Sequence, residues 1–193
     1  MPGVGADGFG LLTTSGYFVR RVGRKGRFGA ELLGPGDLLR PWQIAGETAL
    51  PFELYLRAIT PVEVAILDLA FARRAAAFPA VAIQLADRAM QRSRHLAIAM
   101  AIQHHPRVDT RLHLLFWHYA DRWGRVDSTG ISVRIPLTHS AIAELVGARR
   151  PTVSTALGVL ARQGRILRSG DRWHLPGGAP AELEEIRHEL PSG

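Results

Sequence analysis

Two adjacent arginines, Arg149 and Arg150, stand directly before a proline in the stretch GARRPTVSTAL. A proline fits the first position of a helix, because its missing N–H would have no partner there and its φ is already helical. The positive end of a helix dipole attracts phosphate, and an arginine guanidinium can donate to both N7 and O6 of guanine. At such a helix start, Arg149 and Arg150 have the chemistry to bind a nucleic acid.

The elements around these arginines are predicted in the order strand, helix, tight turn, helix and hairpin. ISVRI alternates like a strand, LTHSAIAELVG predicts a short helix capped by Thr138, and Gly147 comes next. RPTVSTALGVLARQG predicts the second helix, and RILRSGDRWHL predicts a hairpin around Ser169, Gly170 and Asp171. This is the plan of a winged helix-turn-helix, whose second helix lies in the DNA major groove. A helical hairpin with two surface arginines and no partner is the alternative, and the wing and preceding strand weigh against it.

The second predicted helix separates its side chains into an apolar face and a polar face. The apolar residues are expected to pack against Ile142 and Leu145 of the first helix, and they are Val153, Ala156 and Leu157. Ser154 and Thr155 are expected to face the groove, and the two arginine side chains to reach O6 and N7 of a guanine. Phosphate contacts are expected mostly from Thr138, His139, Ser140, Arg149, Thr152, Arg168 and Arg172.

Composition favours the same kind of partner. The 193 residues are 47% hydrophobic and 21% charged, which is typical of a folded protein. The formal net charge is +7, and Lys25 is the only lysine among 24 basic residues. Such a chain favours a polyanion, with nucleic acid ahead of an anionic membrane, although coding bias could also enrich arginine. The absence of cysteine excludes disulfides, thiolate metal sites and cysteine nucleophiles.

The preceding part of the chain predicts three further segments. Glycine-punctuated apolar runs up to about residue 70 predict strands and turns, and a long helix begins at Pro79 and ends before Pro106. A second helix is expected in RVDTRLHLLFWHYADRW, with Gly124 as its stop. On the long helix, residues at spacings of three, four and seven form a narrow stripe that is apolar except for one arginine. Such a stripe favours a dimer seam over a core helix, and its members are Val81, Leu85, Ala89, Arg92, Leu96 and Ala99.

The stretch PLTHSAIAELVGARRPTVSTALGVLARQGRI resembles the DNA-binding domain of the cyclic-AMP receptor protein and fumarate–nitrate regulator (Crp/Fnr) superfamily. ELLGPGDLL and RAITPVEVAILD resemble strands of that family's N-terminal β-roll. The resemblance implies an α+β fold with a shortened, cyclic-nucleotide-binding-like β-roll, a long dimerisation helix and a C-terminal winged helix-turn-helix. The domains are expected at residues 1–78, 79–106 and 107–193, the last with a short tail.

The resemblance also implies roles for single residues. Arg150 falls on the family's guanine-reading arginine, and Thr152 on a threonine near the DNA backbone. Pro151 replaces a base-reading glutamate and Thr155 replaces a second base-reading arginine, so the preferred operator is expected to differ.

The family's cyclic-nucleotide site is expected to be lost. Its phosphate-binding pair falls near Phe52 and Glu53, where a carboxylate would repel phosphate, and its adenine-contacting hydroxyl pair falls on Leu96 and Ala97. GETAL, from Gly46 to Leu50, is only a weak match to the ribose-binding motif. No cofactor and no metal are therefore expected, and histidines 104, 105, 113 and 118 are interpreted as surface or junction residues.

A homodimeric transcription regulator in the cytoplasm follows as the leading hypothesis. Its expected partners are double-stranded DNA, a second copy and, from the family, RNA polymerase, but no membrane, since no apolar run approaches a span. The alternative is an effector or protein-partner sensor whose winged helix is an interaction surface. An enzyme is not expected, because nucleophile elbow, phosphate loop and metal-ligand spacings are all missing.

Overall fold

The protein is described by a computed structural model that covers residues 8–40 and 52–178. The chain forms two compact units, Met1–Ala99 and Met100–Gly193. The boundary between them falls inside the long helix, which the sequence predicts as a segment of its own.

The described residues of the first unit, 8–40 and 52–99, form two antiparallel sheets. One has the strand order β4-β1-β6 and the other β3-β2-β5. The strands are β1 (Gly10–Ser15), β2 (Phe18–Arg24), β3 (Arg27–Leu33), β4 (Leu38–Leu39), β5 (Glu53–Ala58) and β6 (Glu63–Leu67). This arrangement confirms the predicted β-rich N-terminal part and, with it, the α+β class.

The turn between β2 and β3 shows how local sequence sets the register. Arg24 pairs with Arg27, so only Lys25 and Gly26 form the loop, with φ values of 51° and 79°. Positive φ at both positions is the hairpin geometry whose twist matches the strands. The β2–β3 register that follows places Arg20 opposite Glu31.

Helices α1 and α2 follow the strands and contribute to the core of the first unit. Helix α1 (Leu69–Ala75) begins where the Asp68 carboxylate accepts the Phe71 N–H at 2.8 Å, and α2 (Pro79–His104) follows it. Leu85 of α2 is buried with Leu38 and Leu67, and Val81 packs against this cluster. The N-terminal half of α2 therefore contributes to the core of its own unit.

The second unit surrounds α3 (Val108–Trp123) with the elements predicted for a winged helix. They are β7 (Arg125–Asp127), β8 (Gly130–Arg134), α4 (His139–Val146), α5 (Arg150–Arg162), β9 (Leu167–Ser169) and β10 (Arg172–Pro176). The sheet order is β7-β8-β10-β9, and α3 contacts both α4 and α5. Trp173 anchors this core, since its ring lies 4.4 Å from that of Phe116 and its indole N–H donates to the Ile135 carbonyl at 3.0 Å.

Two histidines of α3 differ from the prediction. His113 and His118 are 9% and 8% exposed, so the expectation of surface or junction positions is wrong for both. The indole N–H of Trp117 donates to Nε2 of His113 at 3.0 Å, which satisfies that ring nitrogen inside the core.

Candidate nucleic-acid interface

The turn between α4 and α5 has the geometry that the sequence predicted. The Thr138 hydroxyl accepts the Ala141 N–H at 3.2 Å and caps α4. Gly147 ends α4 in the left-handed conformation, with φ 63° and ψ 43°. The Ala148 N–H then donates back to the Ala143 carbonyl at 3.0 Å, as in a Schellman motif. A sharp, hydrogen-bonded turn therefore directs the chain into α5.

Helix α5 exposes its arginine-bearing start and buries one face. Arg149 is the N-cap, Arg150 is the first helical residue and Pro151 is the second, so the proline lies one position later than predicted. Both arginines are exposed, and the first turn contains no acidic residue. The opposite face is buried at Val153, Leu157 and Leu160, which confirms the predicted inward packing of the first two. Cations gathered at the positive end of a helix are electrostatically unfavourable unless an anion joins them.

Alanine is expected to change the stability of the second unit in opposite directions at Gly147, in this turn, and at Gly158, inside α5. Gly147→Ala is expected to destabilise the second unit by about 1 kcal/mol, because an L side chain is strained at positive φ. Gly158→Ala is expected to stabilise it by about 0.5–1 kcal/mol, because it removes a glycine from a helix interior. A Cβ at Gly158 would meet only the Arg162 Nη1, at an ordinary 3.6 Å. Urea unfolding of the two variants measures both changes, and the same sign for both would contradict the argument.

A non-local hydrogen bond joins the two helices near their starts. Nδ1 of His139 lies 2.8 Å from the Ser154 hydroxyl, which also donates to the Arg150 carbonyl at 3.1 Å. Both side chains were predicted to contact DNA, and both are only half-buried. With the hydroxyl hydrogen given to Arg150, Nδ1 of His139 is the donor to Ser154, and Nε2 is the ring nitrogen left for other contacts.

The hairpin of β9 and β10 positions the two predicted wing arginines differently. The guanidinium carbon of Arg168 lies 4.6 Å from the centre of the Trp173 ring, and its Nε donates to the Gly170 carbonyl at 3.1 Å. Arg168 therefore also stabilises its own hairpin. Arg172 pairs across the sheet with Ser169 on one side and Arg134 on the other, so it projects from the opposite face to Trp173.

Sequence reasoning missed some exposed arginines beside the predicted ones. Arg134 shares the face of Arg172 and lies 3.6 Å from the Asp171 carboxylate. Arg162 lies two turns after Thr155 on the exposed side of α5. The seven-residue spacing of Thr155 and Arg162 can be recognised in the sequence, whereas the pairing of Arg134 with Arg172 across two strands cannot.

The remaining predicted DNA-binding residues lie at the starts of α4 and α5 and on the β9–β10 hairpin. Thr138, Ser140, Thr152 and Thr155 are exposed, as are both wing arginines. The second unit therefore brings the predicted residues together at the starts of α4 and α5 and on the wing.

Three of the six predicted dimer residues of α2 need correction. Leu85 is 7% exposed within the core of the first unit, so it is not accessible to a second chain, and Val81 packs against the same cluster. Arg92 donates to the Glu31 carboxylate at 2.7 Å, and Arg20 contacts the same carboxylate. Burial lowers the pKa of Arg20. At these three positions the series faces the chain's own sheets, because the β2–β3 hairpin provides a carboxylate and the neighbouring strands provide leucines.

A different line of α2 side chains is exposed. It consists of Ile83, Ala86, Met90, Ser93, Ala97 and Met100, and we call it the exposed seam. Its three large members, Ile83, Met90 and Met100, are 59%, 71% and 54% exposed. The spacing alternates between three and four residues, which is the heptad pattern of a two-stranded coiled coil.

The positions where the resemblance places the family's cyclic-nucleotide contacts hold one carboxylate and three apolar side chains. Glu53 is exposed and accepts the Tyr55 hydroxyl at 2.9 Å, and this hydrogen bond raises the pKa of Tyr55. Phe52 is half exposed, Leu96 is half-buried and Ala97 is exposed. The GETAL segment lies outside the described residues.

Comparisons with known proteins agree with this geometry. A family profile described as the Crp-like helix-turn-helix domain matches residues 110–177, which include α4, α5 and the wing. The regulatory protein CysR of Synechococcus elongatus is 33% identical over 142 residues, or 71% of this chain and 60% of CysR. Residues 110–177 therefore carry a Crp-like helix-turn-helix domain, and the chain is similar to a regulatory protein of the Crp/Fnr type. It spans about 60% of the length of this curated relative.

Solved structures of Crp/Fnr proteins support the fold. A CooA variant from Carboxydothermus hydrogenoformans has a TM-score of 0.66 at 19% identity, covering 91% of this chain and 77% of CooA. A CRP-family transcriptional regulator from Thermus thermophilus has a TM-score of 0.63 at 23% identity, covering 94% of this chain and 89% of that regulator. The expected α+β architecture with a β-roll and a winged helix-turn-helix is therefore confirmed. Within residues 8–40 and 52–178, none of the helices is long and apolar enough to cross a membrane.

Proposed function

We propose that this protein is a transcription regulator of the Crp/Fnr type that binds DNA as a homodimer, reads its operator through Arg150 and does not respond to cyclic AMP. The observation that carries this proposal is the start of α5, where Arg149 and Arg150 are exposed, no side chain caps the helix and the first turn contains no acidic residue. Such an end is suited to phosphate, and an arginine there can reach the edge of a guanine.

The contacts divide into base reading and backbone positioning. Arg150 would read a guanine, while Arg149, Thr152 and the wing arginine Arg172 would hold phosphates. His139 would contribute through Nε2, since Nδ1 is directed to Ser154. Pro151 has no group that could read a base edge, so the operator would lack the contact that a glutamate makes elsewhere in the family.

The dimer would form along the exposed seam of α2. A heptad line of Ile83, Met90 and Met100 with small residues between them is complementary to a second copy of itself. Two recognition helices would then reach half-sites one helical turn apart, about 34 Å. Binding to chromosomal DNA would place the protein in the cytoplasm, with RNA polymerase as a further partner and without an enzymatic activity.

Insensitivity to cyclic AMP follows from the residues at the family's effector positions. Glu53 would oppose a cyclic phosphate, and neither Leu96 nor Ala97 has a hydroxyl for adenine.

Selection of bound DNA from a random pool, with and without cyclic AMP, tests the proposal. We expect an enriched pseudo-palindrome with a guanine in each half-site about one helical turn apart, unchanged by the nucleotide. Weak, salt-labile binding without an enriched motif would instead favour a sensor whose winged helix binds another protein. A strong increase with cyclic AMP would contradict the roles given to Glu53, Leu96 and Ala97.

A further inference from the structure

The C-terminal end of α4 is completed by side chains from outside the helix-turn-helix. A helix leaves its last four carbonyls without intrahelical partners. In α4 the first two, those of Ala143 and Glu144, accept from the N–H groups of Ala148 and Gly147. The last two, those of Leu145 and Val146, accept hydrogen bonds from side chains outside α4.

Gln103 and Arg111 supply these partners, and we call the pair the carbonyl clamp. The Gln103 amide donates to the Leu145 carbonyl at 2.9 Å. The Arg111 guanidinium donates to the Val146 carbonyl at 3.1 Å and to the Gly147 carbonyl at 3.4 Å. Arg111 also donates through Nε to the His105 carbonyl, between α2 and α3. One guanidinium thus joins two backbone turns that are far apart in sequence.

The clamp acts on the turn that sets the direction of α5. Only Gly147, Ala148 and Arg149 separate α4 from Arg150, so the position of Arg150 depends on this turn. The guanidinium also places a positive charge at the negative end of the α4 dipole, which strengthens its hydrogen bonds. Fixing three successive carbonyls restricts how the turn can rotate.

We propose that Gln103 and Arg111 are positioning residues for operator recognition, holding the α4–α5 turn so that Arg150 meets its base. This role rests on the proposed DNA-binding function, although neither residue contacts DNA in it. Arg111 links the turn to the α2–α3 junction, and Gln103 links it to the last turn of α2. A displacement of that last turn would therefore be transmitted directly to the start of the recognition helix.

Three variants and one matched control test the clamp. Arg111→Ala removes the guanidinium, Arg111→Lys keeps the charge without the planar fork, and Gln103→Ala removes one hydrogen bond. Arg107→Ala is the control, because Arg107 belongs to the same junction but pairs with Asp109 at 2.6 Å and has a 72% exposed side chain. Each variant is first checked for cooperative unfolding, and Gln103→Ala serves if Arg111→Ala does not fold.

Two measurements give independent answers. The ratio of operator to non-operator affinity is expected to fall about tenfold in Arg111→Ala, less in Gln103→Ala, and to recover partly in Arg111→Lys. Amide hydrogen exchange at Gly147 and Ala148 is expected to become about tenfold faster in Arg111→Ala than in Arg107→Ala. Local exchange and affinity ratio both equal to the control would overturn the clamp. If the wild-type protein prefers no operator, the proposed function fails, and hydrogen exchange alone then decides whether the clamp holds the turn.

Discussion

Replacing Arg150 with alanine is expected to weaken operator binding by about 2–6 kcal/mol per dimer, since each bidentate arginine–guanine contact contributes about 1–3 kcal/mol and the dimer makes two. The preference for guanine at one position of each half-site should disappear at the same time. Arg150→Lys should keep part of the affinity but less of the preference, because an ammonium group lacks the rigid planar fork with which a guanidinium meets O6 and N7.

The neighbouring Arg149 provides the matched control for Arg150. Both arginines are exposed at the start of α5, but Arg149 precedes the helix and is assigned to phosphate. Arg149→Ala should lower affinity almost uniformly across DNA sequences. It should also reduce the slope of log affinity against log salt concentration by about 1 per subunit. Equal losses of sequence preference in both variants would contradict the division of roles. Competition binding to operators with single base changes, at several salt concentrations, measures both quantities.

Stability should respond to Arg150→Ala in the opposite direction to binding. A cation in the first turn of a helix opposes the helix dipole, at a cost of about 0.3–1 kcal/mol. Removing it should therefore leave the free energy of unfolding unchanged or slightly higher. Weaker operator binding together with an unchanged or higher free energy of unfolding would show that Arg150→Ala removes a DNA contact and leaves the fold intact.

Local signals explain why the helix-turn-helix could be predicted from the sequence. Thr138 caps α4 by a hydrogen bond three residues along, Gly147 takes the left-handed conformation, and Leu157 continues a 3.6-residue apolar period. Each signal acts over a few residues, so it is visible in the sequence itself. Helix α1 had such a signal in Asp68 and was missed because the helix is only seven residues long.

The parts that could not be predicted depend on contacts between distant residues. His139 meets Ser154 across 15 positions, and Arg92 meets Glu31 across 61. The apolar surface of α2 was also ambiguous, because Leu85 and Met90 are both apolar and lie on different faces. Only the position of the β4-β1-β6 sheet decides that Leu85 is internal, and that choice leaves Met90 exposed.

The exposed seam predicts a large effect of one charge on assembly. Met90→Glu is expected to convert the proposed dimer into a monomer at micromolar concentration, because the two copies would bring carboxylates together at an apolar seam position. Met90 is 71% exposed in the single chain, so the substitution should leave the fold of each monomer intact. Gln91→Glu adds the same charge one residue away, off the seam, and should leave the dimer unchanged.

Sedimentation equilibrium and operator binding together test this seam. A monomer presents one recognition helix, so it loses the gain from binding two linked half-sites, which is about 100-fold or more. Affinity for an isolated half-site should stay the same, because α5 and the wing are untouched. A Met90→Glu protein that still sediments as a dimer would mean that the second copy binds elsewhere. Loss of half-site binding as well would show that α2 carries more than assembly, since the substitution lies outside every residue assigned to DNA.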